Sequence, residues 1–521
     1  MSNYAGTTLL ARQGLRRDRV LVPIWVALLV VVCYASAAAT PTLYDTVADR
    51  IHAAEAINAN AAVVALYGPI LDPSSVGELA MTKMTVLYAV FAAILFVVVV
   101  RRHTRVEEES GRLELVGGTA VGRAAPLSGA VLEGVVLAVA LGALVALANV
   151  AGGLPVVGSI AFGASWTGIG LVTVGLTAVA CQLSASARTC AAIAAAAIAV
   201  LYVLRAVGDA SVSWLSWLSP FGWNTQLRAW SGTRWWILLL YVATATVLVV
   251  VASTLRARRD LGSGMLAERP GPAEGSPRLA DALALCLQVH AAMLVLWTVA
   301  IASVGLVFGA IAPGVTDLLD SPDAADMIER LGGEGALEDA LVAAVLTVVA
   351  IVVTCFAITI IGHAATDEAD GRAEEVLATA TSRARWFGAT LVVALGGSVW
   401  LLLVGGISMA LGYGGQVDRM VPAALAWTPA VWLVAALAAA GLALDHAWTV
   451  AGWALLALFV TLTMVGELLR APQWLIDLSP YSRVPLMPSE PFAAAPEAAL
   501  TCLAVAVLGA AWWRFRRRDI G

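Results

Sequence analysis

Apolar residues in this chain run in long unbroken blocks, separated by short polar segments, with neither the alternation of a half-buried strand nor the single stripe of a soluble amphipathic helix. Blocks of roughly 18 residues or more are long enough to cross a bilayer. Six such blocks lie near 20–40, 82–100, 127–150, 161–183, 189–207 and 235–255, and six more near 289–310, 340–363, 386–411, 421–444, 448–469 and 496–513. Backbone groups in hydrocarbon must find partners within their own segment, and continuous rather than alternating apolarity selects helices over barrel strands. The fold class expected is an all-α integral membrane protein with about twelve transmembrane helices.

The polar segments repeat at a spacing of 260 residues. His103, Glu108, Gly111, Arg112 and Glu114 recur as His363, Glu368, Gly371, Arg372 and Glu374, with Glu107 and Ser110 answered by Asp367 and Asp370. Trp214, Leu215, Leu218, Ser219 and Pro220 recur as Trp474, Leu475, Leu478, Ser479 and Pro480. The halves also close alike, on Arg258-Arg259-Asp260-Leu261-Gly262 and Arg517-Arg518-Asp519-Ile520-Gly521. Register held over this distance indicates a duplicated and fused half. The expected organisation is a first six-span half at 1–260, a linker at 261–279 and a second six-span half at 280–521. Glycines and prolines at Gly262, Gly264, Pro270, Gly271, Pro272, Gly275 and Pro277 break any helix through the linker.

Composition removes the soluble alternatives: 60% of the 521 residues are hydrophobic and 13% charged, more apolar surface than one core can hide. Orientation follows from arginine, since Lys83 is the only lysine. With both termini cytoplasmic, the inside segments hold 22 of the 31 basic residues, and the long outside segments near 41–81 and 311–339 are acidic. The net charge of −5 therefore reflects outward loops. Short amphipathic stretches precede each first span, Leu9 to Arg19 in one half and Leu279 to Gln288 in the other, and suit the inner membrane surface. The six cysteines lack the spacing of a disulfide framework or a paired-cysteine metal site, so no metal ligand set is expected.

The charged loop between the second and third spans of each half is the leading functional candidate. Glu107, Gly111 and Glu114 are spaced i, i+4, i+7, as are Asp367, Gly371 and Glu374, so a continuous helix would place each trio on one face with a glycine in its middle. That glycine predicts a kink or a close backbone approach. A plainer reading has Glu108–Arg112 and Glu368–Arg372 as helical i, i+4 ion pairs on a solvated loop. The second candidate is the Leu-Ser-Pro-aromatic site, Leu218-Ser219-Pro220-Phe221 and Leu478-Ser479-Pro480-Tyr481, where serine and proline would end or open a short helix beside an interfacial group of tryptophans. Among ionisable residues within spans, Glu133 is the clearest and is expected to pair with a cytoplasmic arginine; Arg205 and Glu467 follow.

The loop resembles a segment of export permeases of ATP-binding-cassette (ABC) transporters, of the form Glu-x-x-x-Gly-x-x-Glu followed by a Thr-x-x-x-Arg element. Here it stands as Glu107 to Glu114 with Thr119 and Arg123, and again as Asp367 to Glu374 with Thr379 and Arg383. The copies differ at Gly117-Gly118, where the second has Leu377-Ala378. The fused twelve-span length resembles the permeases known as exporters of polyketide antibiotics. The resemblance implies a transmembrane subunit in the plasma membrane, moving hydrophobic or amphipathic compounds outward and powered by a separate cytoplasmic ATPase, two copies of which would carry ATP and Mg. It implies that Glu107, Glu108, Glu109, Gly111, Arg112 and Glu114, with Asp367, Glu368, Asp370, Gly371, Arg372 and Glu374, form the ATPase-coupling segments. It makes the Leu-Ser-Pro sites an external gate. With a single lysine at Lys83 the chain holds no Gly-x-x-x-x-Gly-Lys-[Ser/Thr] phosphate loop, so no catalytic residue, cofactor or nucleic-acid partner is expected of it. Two other classes compete. A proton-coupled secondary transporter would show ionisable relays at matching mid-membrane positions of both halves. A membrane transferase would show carboxylates or a nucleophile and base converging on one face.

Overall fold

The computed structural model describes residues 2–59, 61–210, 213–266, 279, 281–314, 334–465 and 472–519. They form two compact units, Met1–Gly271 and Pro272–Gly521. Twelve helices are long and apolar enough to cross a membrane, six in each unit, and no strand occurs among the described residues. The Glu467 position and the acidic run at 317–329 lie outside the described residues, as does most of the linker.

In the first unit α1 (Thr7–Arg17) precedes the first span α2 (Leu21–Leu43), and two short helices, α3 (Val47–Ala59) and α4 (Ala61–Tyr67), occupy the segment before the second span α5 (Val76–His103). Ser75 starts α5 by accepting a hydrogen bond from the Glu78 N–H, and Glu78 stands three residues on, the capping-box spacing. Two short helices follow, α6 (Arg105–Glu109) and α7 (Arg112–Gly117), then the spans α8 (Ala125–Ala151), α9 (Val156–Leu183) and α10 (Ala187–Ala210). A 3₁₀ turn at Ser213–Leu218 and α11 (Pro220–Gln226) lead to the last span α12 (Ile237–Ala257).

The second unit runs through spans Ala282–Ile311 and Glu334–Ala369, a short helix Arg372–Leu377, the span Arg383–Tyr413, a tenth segment in two pieces, the span Val450–Val465 and the final span Ala494–Arg517. The tenth segment divides into Val417–Leu425 and Thr428–Leu444. Pro429, the second residue of the second piece, has no N–H to return to the preceding turn, so the ladder is interrupted there. An apolarity profile sees one block at this point because proline is not charged.

Apolar burial here means packing between helices, while the exposed Leu28, Val139, Leu239 and Val299 face outward, as a lipid-solvated surface requires. In the first unit Phe96, Trp166 and Tyr241 are fully buried; in the second Phe356, Phe387 and Trp427 are. Polar side chains hold helices together locally: Thr167 donates from α9 to the Ala138 carbonyl of α8 at 3.2 Å, and Trp432 donates to the Leu395 carbonyl at 3.3 Å. The amphipathic stretch before the first span is a separate helix, α1, with Ala11 and Gly14 buried, and its lead-in is tied to α8 by Gly122 N–H to Ala5 (2.8 Å) and Ala124 N–H to Asn3 (2.9 Å). The second half differs from expectation: its stretch is continuous with the span Ala282–Ile311, capped by Asp281.

Candidate functional site

The repeated charged loop turns in the same way at its glycine in both units, although the helix before the glycine is interrupted in the first unit and runs unbroken to Ala369 in the second. In the first, α5 stops at Thr104, whose φ of −120° and ψ of −83° leave the helical region. The chain makes one turn of α6, passes Ser110 and Gly111, and starts α7 at Arg112. Gly111 has φ 71° and ψ −3°, and Gly371 has φ 75° and ψ −2°. A side chain in this left-handed region is strained, which is why both copies carry glycine. Nothing lies within 4 Å of where a Cβ would stand on either residue, so the expected close approach by another backbone does not occur; the demand is conformational. Because Gly111 and Gly371 interrupt the helix, Glu107 and Glu114, and likewise Asp367 and Glu374, do not share one continuous helical face. The short helices have equal length in the two copies, ending at Gly117 and Leu377, with Thr119 and Thr379 each returning a hydroxyl to the residue three before at 2.6 Å.

The carboxylates of the loop divide into inward and outward sets. Glu108 is turned inward, its side chain 6% exposed, and meets Arg259 beyond the end of α12 through Oε1–Nη1 at 2.5 Å and Oε2–Nη2 at 2.7 Å. It also receives Arg105 at 2.9 Å and the Gly262 N–H at 2.8 Å. Arg105, fully buried, donates to the carbonyls of Ala185 and Ser263. In the second unit Glu368, its side chain also 6% exposed, is paired with Arg518 beyond the final span. The i, i+4 pairs Glu108–Arg112 and Glu368–Arg372 are therefore not formed. Arg112 takes Glu107 at 3.3 Å instead, and Arg372 takes Asp367 and Asp370, both at 2.8 Å. The hydrogen bond with Asp367 holds the Arg372 guanidinium above its ordinary range. Glu107 also meets Arg17 of α1 at 2.7 Å, and Glu109 accepts the Ala187 N–H at the start of α10.

Each turn is thus pinned to the end of its unit's last span, leaving the next turn free. Arg112, Glu114 and Leu115 are exposed, Leu115 at 78%, as are Arg372, Glu374 and Glu375 in the second unit. Sequence reading missed Arg259 and Arg518 as site residues, although their signal was present in the repeated Arg-Arg-Asp closing each half. The start of the linker also belongs here: Met265 and Leu266 N–H groups bond the carbonyls of Gln182 and Leu183 at 3.0 and 2.8 Å.

The Leu-Ser-Pro sites share a second repeated construction. Ser219 caps α11 by accepting the Phe221 N–H at 3.2 Å, and Ser479 caps the 3₁₀ turn Pro480–Arg483 by accepting the Tyr481 N–H at 3.3 Å. Ser219, Pro220 and Phe221 are buried within the first unit, and Ser479, Pro480 and Tyr481 within the second, where the Tyr481 and Thr354 hydroxyls bond at 2.7 Å. Only the leucines reach the surface, Leu218 at 55% and Leu478 at 57%. Trp217 stacks on Trp236, their centroids 5.8 Å apart, beside the exposed Trp214 and Trp235.

Of the intramembrane charges expected from the sequence, Arg205 and Glu133 lie among the described residues. Arg205 is fully buried and caps the end of α4, donating to the Val64 and Ala65 carbonyls and pairing with Asp209 at 3.2 Å. Glu133 does not pair with an arginine as expected; it lies 3.6 Å from His103 Nε2 at the arginine-bearing end of α8. Asp445 caps the 3₁₀ turn His446–Thr449.

Comparison with known proteins converges on one group. Residues 279–516 match the family described as the C-terminal domain of the multidrug efflux system permease Rv1217c. Over 528 aligned residues the chain is 39% identical to the multidrug efflux system permease protein Rv1217c of Mycobacterium tuberculosis (strain ATCC 25618 / H37Rv), covering all of this chain and 96% of that protein.

Proposed function

Because the chain belongs to the multidrug efflux permease family of that mycobacterial protein, we propose that it is the transmembrane subunit of an ATP-driven ABC exporter, moving hydrophobic or amphipathic compounds outward with power from a separate ATPase. The observation that carries this reading is the repeated turn. Two equal segments, each set by a left-handed glycine, present a short free helix at the arginine-bearing end of the spans and are anchored behind by a buried ion pair. A duplicated rigid lever of this kind suits docking of two ATPase copies on the cytoplasmic face, with both termini on that side. The buried pair gives the lever a route to the last span, because a push on α7 reaches Arg259 through Glu108. Arg112, Glu114, Arg372 and Glu374 would make the outer contacts, whereas Glu108 and Glu368 would transmit.

The Leu-Ser-Pro sites, with their buried serines and projecting leucines, fit an outer constriction in which Leu218 and Leu478 alone touch the passing compound. The proton-coupled alternative would need buried titratable groups matched in both halves. His103 and Glu133 form one such group, but Val393 stands at the position equivalent to Glu133. Affinity purification of the full chain with a co-expressed ATPase of the ABC type tests the proposal: stoichiometric recovery of the ATPase supports it, and its absence under conditions that preserve the fold overturns it.

A further inference from the structure

We propose that Asp18, His103 and Glu133 form a binding site for a divalent transition cation, of the zinc kind, confined to the first half of the chain. The three residues come from separate elements: Asp18 caps the end of α1, His103 is the last residue of α5, and Glu133 lies in the third turn of α8. One ligand atom from each lies within 4.8 Å of the other two. His103 Nε2 is 2.8 Å from Asp18 Oδ2 and 3.6 Å from Glu133 Oε1. Tetrahedral zinc with bonds of about 2.0–2.2 Å sets its ligand atoms about 3.4 Å apart, a value these two separations bracket. One imidazole nitrogen, two carboxylates and a solvent position make a borderline donor set suited to zinc or its neighbours rather than to calcium or magnesium.

The decisive feature is an unmatched donor count. A single ring nitrogen faces both carboxylates, and it is within hydrogen-bond distance of Asp18 alone. Glu133 Oε1 is left buried without a hydrogen-bond partner, in a residue only 1% exposed. A buried carboxylate oxygen left so costs free energy that a cation would recover from all three groups at once. Arg102 Nη1 stands 3.1 Å from the other Asp18 oxygen, Oδ1, as an ion pair without hydrogen-bond geometry, so Asp18 Oδ1 also lacks a hydrogen bond and the oxygen that faces His103 is left unoccupied by Arg102. Glycine at position 14 makes room: a Cβ there would collide with the Glu133 carboxylate. His103 and Glu133 line a cavity shared with Gln13, Arg17 and Glu107, which offers a path for entry and a place for a water ligand.

Among the described residues the second half holds no equivalent cluster. His363, the repeat of His103, has its Nδ1 3.2 Å from His290 Nε2, and Val393 replaces Glu133. The proposed cation would fasten α1 to α8 and to the base of the turn that begins one residue after His103. It does not depend on the transport reading, because binding is measured on the isolated full chain.

The experiment is zinc titration of the purified full-length protein after chelator stripping, with metal content and thermal unfolding as readouts. Wild type should retain one zinc per chain and unfold at higher temperature when loaded. Glu133→Gln and Asp18→Asn should each weaken zinc at least tenfold, and His363→Ala should bind as wild type does. Equal binding by wild type and Glu133→Gln, or no stoichiometric zinc on wild type, overturns the site. Should the variants fail to fold, cobalt absorption on wild type decides: d–d bands displaced by zinc support the site, and their absence refutes it.

Discussion

Glu108 and Arg259 lie 151 residues apart in sequence and meet in a two-contact ion pair at 2.5 and 2.7 Å, and Glu368 and Arg518 repeat the pair in the second unit. Both partners of the first pair are nearly inaccessible. In such a place an ion pair fixes geometry more than it adds net stability, since desolvating both charges offsets most of their attraction. What it fixes is the position of the broken turn relative to the last span.

Removing Glu108 alone should cost more than removing it together with Arg259. Glu108→Ala leaves the buried Arg259 and Arg105 without their carboxylate and is expected to destabilise the first unit by about 3–5 kcal/mol, whereas Arg259→Ala leaves Glu108 paired with Arg105 and should cost less. The double variant should cost clearly less than the sum. Thermal unfolding in detergent, analysed as a double-mutant cycle, provides the measurement, and strict additivity would contradict the pairing.

Position 111 tests the conformational demand. Gly111→Val with Gly371→Val forces branched side chains into left-handed geometry at about 1–2 kcal/mol per site. Asparagine, which tolerates that region, should cost less. With empty space around both positions, the effect can come only from the backbone. Efflux should fall in the valine pair while detergent-soluble yield is retained, and the asparagine pair should keep most of its efflux. Equal behaviour of valine and asparagine would refute the argument.

Leu115 is an exposed leucine on α7, and its counterpart in the second copy is Glu375. Leu115→Asp should weaken recovery of the ATPase about tenfold or more, as loss of an apolar interface anchor does. Unfolding of the isolated chain should be unchanged, because the residue packs against nothing that its own unit needs.

The serine caps make a prediction at the other end of the spans. Ser219→Ala should cost about 1 kcal/mol through its lost cap. Ser479→Ala should cost more, because Ser479 also bonds the Phe459 carbonyl at 3.1 Å and the Thr463 hydroxyl at 2.8 Å. Paired unfolding measurements on the two variants check the order.

Legibility of these features in the sequence follows the range of the interactions. The spans were readable because apolarity over 18 residues is a local property, and twelve helices of that character are present. The two-piece tenth span was not, because Pro429 alters hydrogen bonding without altering hydropathy. The loop's residues are located by their repeat and its glycine signals a kink, but only the φ of Gly111 separates i, i+4 pairing with Arg112 from pairing with Arg259. Asp18, His103 and Glu133 carry no spacing signal, since three different helices bring them together.

The central claim is that this permease couples outward transport to ATP hydrolysis on a partner through the repeated turns. The direct test reconstitutes the full chain with a co-expressed ATPase of the ABC type in liposomes and follows movement of a lipophilic antibiotic, with the proton gradient collapsed by an ionophore. The account predicts transport that requires ATP and the ATPase, is indifferent to the ionophore, and fails when the valine pair replaces Gly111 and Gly371. Transport that proceeds without the ATPase and stops when the gradient is collapsed would contradict it.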